Sequence, residues 1–181
     1  RWKIRYGVLS TNINSNLTSA SKSLKSNLRN YINQYRMIGD TVNIKDAFVV
    51  NIGINFEIVT LPNYNNSRVL TECTNTLQTY FNINDWQINQ PIILRNLSIL
   101  LDNIKGVQTV SNITISNKAG TTSGYSQYAY DVTGALQNGT IFPSIDPMIF
   151  EVKYPNIDIV GRVVSLGQGG GSTANGGGRN Y

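Results

Sequence analysis

Twelve residues in the middle of this chain constrain its fold more than any others. Phe48, Val50, Ile52, Ile54, Phe56 and Ile58 alternate with Val49, Asn51, Gly53, Asn55, Glu57 and Val59. Successive side chains of a strand point to opposite faces, so a period of two predicts a long strand with one face in an apolar core and the other mostly wet. The run Pro62-Asn63-Tyr64-Asn65-Asn66 reads as the turn that ends it.

The flanking segments carry helical spacing. Over residues 21–38, Leu24, Leu28, Tyr31 and Tyr35 recur every three or four positions and fall on one face, with Gly39 placed as a C-terminal cap. Beyond the turn, Ser67 is the expected N-cap of a second helix whose stripe is Val69, Cys73, Leu77, Tyr80 and Phe81. A short strand is expected at Trp86 and Ile88. Pro91 then suits the first position of a third helix, with Leu94, Leu97, Leu101 and Ile104 inward and Gly106 closing it. Residues 107–115 return to strand. The order predicts an α+β fold, a small mixed sheet with helices packed on one side.

After Ser116 the character changes. Residues 117–124 read as loop, and Tyr125, Tyr128 and Tyr130 punctuate an extended segment. Residues 142–162 mix Pro143, Pro147 and Pro155 with Phe142, Ile149, Phe150, Val152 and Tyr154. Proline-broken apolar strands suit an extended arm lying on a neighbour better than a central sheet. The expected organisation is an exit segment of a preceding domain over 1–18, the helix–strand module over 19–116, a loop and arm over 117–166, and a flexible Gly-rich tail over 167–181. The chain opens on Arg1 and is read as a piece of a longer protein. It has nothing resembling a signal peptide and no apolar run near the roughly 20 residues that cross a bilayer, so no membrane role is expected.

Missing residues limit the chemistry. There is no histidine, the usual general base near neutral pH. Cys73 is the single cysteine and reads as a core residue, so neither a disulfide nor a cysteine metal cluster is expected. The acidic pairs Asp146–Glu151 and Glu151–Asp158, with Lys153 and Arg162 close in sequence, read as surface or interface ion pairing rather than as a general acid and base. The glycines at 167 and 169–171 precede no helix that could face a phosphate, and they read as tail. We therefore expect no enzyme activity and no cofactor. Five N-x-S/T sequons reflect the 24 asparagines and carry no message about secretion.

Charge is unevenly placed. Residues 1–36 hold seven basic side chains and no acidic one, while the remainder holds eight basic against ten acidic. On the first helix Lys22, Lys25, Arg29 and Arg36 project within roughly 60° of each other, beside the apolar stripe. A solvated edge, an acidic protein partner and nucleic acid are the three readings of that stripe, in descending order.

Two stretches carry a resemblance. Residues 39–115 resemble the C-terminal module of the phage baseplate-J-like family: a Gly39-Asp40 turn, a long alternating strand, helices, and a close at Asn103-Ile104-Lys105-Gly106-Val107. Residues 138–147 (Asn-Gly-Thr-Ile-Phe-Pro-Ser-Ile-Asp-Pro), 149–156 and 158–163 resemble the end of the larger wedge subunits of T-even-like contractile phage tails. Residues 1–18 and the Gly-rich tail lie outside the resemblance. It implies a virion structural subunit, assembled in the host cytoplasm, that joins wedges into a ring around the hub by contacts with itself and with other wedge proteins. On the arm, the candidate contact residues are Tyr125, Tyr128, Tyr130, Phe142, Ile149, Phe150, Glu151, Lys153, Tyr154, Asp158 and Arg162. The alternative is a nucleic-acid-binding module using the basic stripe.

Overall fold

A computed structural model describes residues 3–12, 17–35 and 41–165. The alternating segment is the organising strand, β5 (Phe48–Thr60), and it is 13 residues long. Its even-numbered residues from Val50 to Ile58 are fully buried. Against them pack the helices α2 (Asn66–Tyr80) and α3 (Leu94–Asp102), through Val69, Cys73, Leu77, Leu97 and Leu101. On one side β5 pairs antiparallel with β7 (Val107–Lys118). The molecule is α+β, with a mixed sheet.

The other neighbours of β5 overturn the arm expected at 142–162. Strands β10 (Met148–Glu151) and β11 (Ile159–Val163) both run parallel to β5, β10 along Phe48–Asn51 and β11 along Ile54–Ile58. Ile149, Phe150, Glu151, Val152, Asp158 and Ile159 are all buried. The prolines flank these strands and do not break them. Pro147 precedes β10, and Pro155 opens the short helix α4 (Pro155–Asp158) that links β10 to β11. β10 and β11 are strands of the β5 sheet, while Phe142, Ile145, Asp146, Ile157 and Val160 of the same segment are exposed.

The alternation on β11 explains one close approach. Gly161 lies beside Phe56 in the parallel register, and the Phe56 ring covers the glycine. A β-carbon at 161 would sit 2.2 Å from the ring's Cζ.

Several boundaries shift for local reasons. The cap of α2 is Asn65, not Ser67, because the Asn65 side chain accepts the Arg68 N–H at 3.1 Å. No strand forms at Trp86–Ile88. Trp86 instead packs in an aromatic cluster with Tyr80 and Phe81. Pro91 precedes α3 by three residues and is not in it; the two-residue β6 (Ile92–Ile93) intervenes. It pairs with β9 (Thr140–Ile141), which also pairs with β8 (Leu136–Gln137). The Leu94 N–H, which begins α3, donates to the Gly139 carbonyl at 2.9 Å. Helix α3 ends at Asp102 with Asn103 as its cap, so Gly106 does not close it; at φ +102°, a conformation that disfavours any side chain, Gly106 makes the turn into β7.

The N-terminal residues belong to the same molecule. Strand β1 (Lys3–Val8) pairs parallel with β4 (Thr41–Asp46), and β2 (Ser10–Thr11) pairs with β3 (Leu17–Thr18). Helix α1 (Lys22–Asn33), capped by the Ser21 hydroxyl accepting the Leu24 N–H, follows β3 and touches β4. The expected cap Gly39, the stripe residue Arg36 and the glycine-rich tail fall outside the described residues.

Cys73 is fully buried, and burial together with the nearby Glu72 charge pushes its thiol up to about 11. A thiol-specific chromogenic reagent is expected to leave native protein unmodified and to titrate one thiol per chain after unfolding.

Candidate interaction surfaces

The candidate residues on the C-terminal segment divide sharply by environment. Glu151 is buried with both carboxylate oxygens engaged. Oε1 accepts the Leu17 N–H at 2.8 Å, and Oε2 accepts Asn51 Nδ2 at 2.7 Å. Asn51 in turn accepts the Ser126 N–H at 2.6 Å, and its carbonyl accepts Asn117 Nδ2 at 3.1 Å. Asp158 is buried as well, with Oδ1 accepting the Tyr125 hydroxyl at 2.6 Å and Oδ2 the Tyr154 N–H at 2.9 Å. These two carboxylates staple β3, β5, β10 and the 117–130 loop together. They are neither surface ion pairs nor free acids and bases. Asp146 is exposed and accepts Asn89 Nδ2 at 2.8 Å.

The remaining residues follow the same division. Tyr130 is buried with its ring edge-on to Phe150, and its hydroxyl donates to the Phe142 carbonyl. Tyr125 packs edge-on against Tyr154, and both are half-buried, as is Lys153. Tyr128 is partly exposed and meets Phe48. Arg162 is exposed and pairs with Glu57, its neighbour across the β5–β11 register. Phe142 is outward, 47 % exposed, and with Pro143 and Ile145 it lines a shallow depression of about 540 Å³. Of the expected arm contacts, Phe142 and Tyr128 are the exposed aromatic ones. Ile149, Phe150, Glu151, Tyr130 and Asp158 face the interior of their own chain.

A cleft of about 590 Å³ opens where the β4–β5 junction meets the 125–128 loop. Lys25, Lys45, Phe48, Tyr128, Glu151 and Lys153 are among its lining residues. Its one buried carboxylate, Glu151, is saturated by neutral donors. Among the described residues, no three acidic or thiol side chains gather where a metal could be held, and no helix is long and apolar enough to cross a membrane.

Helix α1 presents exposed apolar side chains. None of its residues is buried. Leu24 is 46 %, Tyr31 60 % and the following Tyr35 72 % exposed, and the two tyrosine rings lie 5.2 Å apart. Of the apolar stripe, Leu24, Tyr31 and Tyr35 are exposed and Leu28 is half-buried. Of the basic stripe, Lys22 and Arg29 are exposed, whereas Lys25 is paired with Asp46. Asp46 also accepts the Ala20 N–H at 3.2 Å, so one aspartate anchors the start of the helix. Periodicity located the stripe but could not tell which surface, if any, covers it.

Tyr125 carries a testable consequence. Its hydrogen bond to Asp158, aided by burial, pushes its phenol up to about 12 from the ordinary 10.0. A raised acid pKa means that the stabilisation is complete below the unfolded value and is lost as pH rises through the folded one. The Cys73 thiol acts in the same direction from 9.0. The urea midpoint is expected to fall steadily from about pH 9 to about pH 12, and Tyr125→Phe is expected to flatten the upper part of that decline.

No protein-family model matches this chain, and no curated protein matches it.

Proposed function

We propose that this chain is a non-catalytic structural subunit of a contractile phage tail baseplate, acting through protein–protein contacts between wedge components. The observation that carries the assembly part of this reading is α1. A 12-residue helix in water is marginal unless an apolar face is buried, and α1 buries none of its residues. Its exposed Leu24, Tyr31 and Tyr35 form the kind of face that a partner covers. The baseplate assignment rests on the resemblance of residues 39–115 and 138–163.

The partner of α1 is a protein with an apolar groove and acidic rim, because Lys22 and Arg29 stand beside the apolar stripe with no acidic residue on the helix. Nucleic acid is the second reading, favoured by the Tyr31–Tyr35 pair beside those two cations. It predicts single-strand binding that weakens steeply with salt.

Co-expression with the tail proteins encoded in the same genome tests the proposal. A complex of fixed stoichiometry is expected by size-exclusion chromatography with light scattering, and it is lost in Leu24→Asp/Tyr31→Asp. A chain that elutes alone beside all of them contradicts the assembly role.

A further inference from the structure

Residues 137–140 read Gln-Asn-Gly-Thr, and Gln137 pairs with Thr140 across the loop that joins β8 to β9. Asn138 and Gly139 have φ of +50° and +75°, the backbone of the tight hairpin turn for which Asn-Gly is the preferred pair. Both residues are exposed, and a β-carbon at Gly139 would have nothing within 4 Å. Among the described residues neither the Asn138 carboxamide nor the Gly139 N–H has a hydrogen-bond partner. Other asparagines are held in place. Asn51, Asn65, Asn89 and Asn117 each accept a backbone N–H through the side chain. The Gly139 carbonyl, in contrast, is occupied. It accepts the N–H of Leu94, the first residue of α3, at 2.9 Å, and the capping residue Ile93 offers that helix no side-chain acceptor.

We propose that Asn138–Gly139 is a self-modifying site whose conversion from amide to acid loosens the start of α3. The Gly139 nitrogen gives its proton to solvent base and attacks Cγ of Asn138. The new N–Cγ bond replaces the Cγ–Nδ2 bond, and Nδ2 takes up a proton and leaves as ammonia. Water then opens the cyclic imide. Opening at Cγ restores the ordinary backbone with an aspartate at 138. Opening at the backbone carbonyl leaves the chain running through Cβ and Cγ, an isoaspartate one carbon longer. Water is the only co-reactant. Glycine suits the step because no side chain blocks the approach of its nitrogen. Either product adds a carboxylate, and the isoaspartate also lengthens a loop that sets the register of β8 on β9. That change draws the Gly139 carbonyl away from Leu94. The damage is local, because β6, β8 and β9 form a sheet separate from that of β5. The inference rests on the hairpin and not on the baseplate assignment.

Ageing the full native chain in mildly alkaline buffer, followed by tryptic mapping, tests it. Trypsin places Asn138 in peptide 119–153 and the other Asn-Gly pair, Asn175–Gly176 outside the described residues, in peptide 163–179, so the two are read separately. Peptide 119–153 is expected to lose its Asn138 amide and to become a substrate for an isoaspartyl methyltransferase. Each such event lowers the formal net charge of +5 by one. In the converted fraction the Leu94 amide is expected to exchange sooner than in fresh protein, with the β5 amides unchanged. Asn138→Gly keeps the turn and removes the carboxamide, and its peptide 119–153 is expected to age unchanged. Should that variant not fold, the wild type in urea provides the comparison. Conversion confined to the unfolded chain overturns the inference, because the native hairpin would then protect the pair. A converted native chain whose Leu94 amide is as protected as before also overturns it.

Discussion

Gly161→Val is expected to destabilise the chain by about 3 kcal/mol, the upper part of the usual range for overpacking a core. The β-carbon would lie 2.2 Å from Phe56 Cζ and 2.6 Å from its Cε2. Phe56 is fully buried in the core cluster that includes the inward residues of α2 and α3, so a displaced ring disturbs their packing. Against a total stability of roughly 5–15 kcal/mol, a loss of that size moves a urea midpoint far. Combining the substitution with Phe56→Leu, which makes room for the new methyls, is expected to cost less than the two changes separately, by at least about 1 kcal/mol. Additive losses would mean that the ring and the glycine are not in contact.

The second large effect is at Glu151. Replacing it with leucine is expected to cost about 2–4 kcal/mol, because the Leu17 N–H and Asn51 Nδ2 both lose their acceptor in a buried setting. The damage should spread along the network, exposing the Leu17 and Ser126 amides to hydrogen exchange well before the rest of β5. Arg162→Ala, eleven residues further on, removes an exposed ion pair and is expected to change stability by less than about 0.5 kcal/mol. An arm lying on a neighbour would give the opposite ranking in the isolated chain, with Glu151 silent.

The strand β5 with its buried even-numbered face and the stripes of α2 and α3 were legible because each is a local pattern, whereas the other face of β5, expected mostly wet, buries Asn51 and Val59. Alternation or a three-four spacing reports which face is buried without reference to anything distant. The C-terminal strands were misread for a physical reason. Ile149, Phe150 and Val152 form a nearly continuous apolar run, the pattern of a parallel strand buried on both faces. The prolines at 147 and 155 drew attention away from that run, although both lie outside β10. Glu151 and Asp158 looked like surface charges because nothing in a sequence shows that Leu17, Asn51 and Tyr125 come round to satisfy them. On α1 the periodicity gave the helix and its apolar stripe but not what the stripe faces. An amphipathic stripe says that a face wants covering, and the covering surface is not among the described residues of this chain.

Function was legible in a narrower sense. The lack of histidine and the lone, buried Cys73 limit the chemistry, and the fold turns both buried carboxylates to structural work. Among the described residues the outward apolar surfaces include α1 and the Phe142–Ile145 depression.

The measurement that bears most directly on the assembly role is hydrogen exchange of the α1 amides, Lys22–Asn33, in the free chain and in the complex with its co-expressed tail partner. The account predicts weak protection in the free chain, since no α1 residue is buried, and strong protection of Leu24 to Asn33 in the complex. Protection that is the same in both states would contradict it, because the exposed helix would then not be the surface through which this protein assembles.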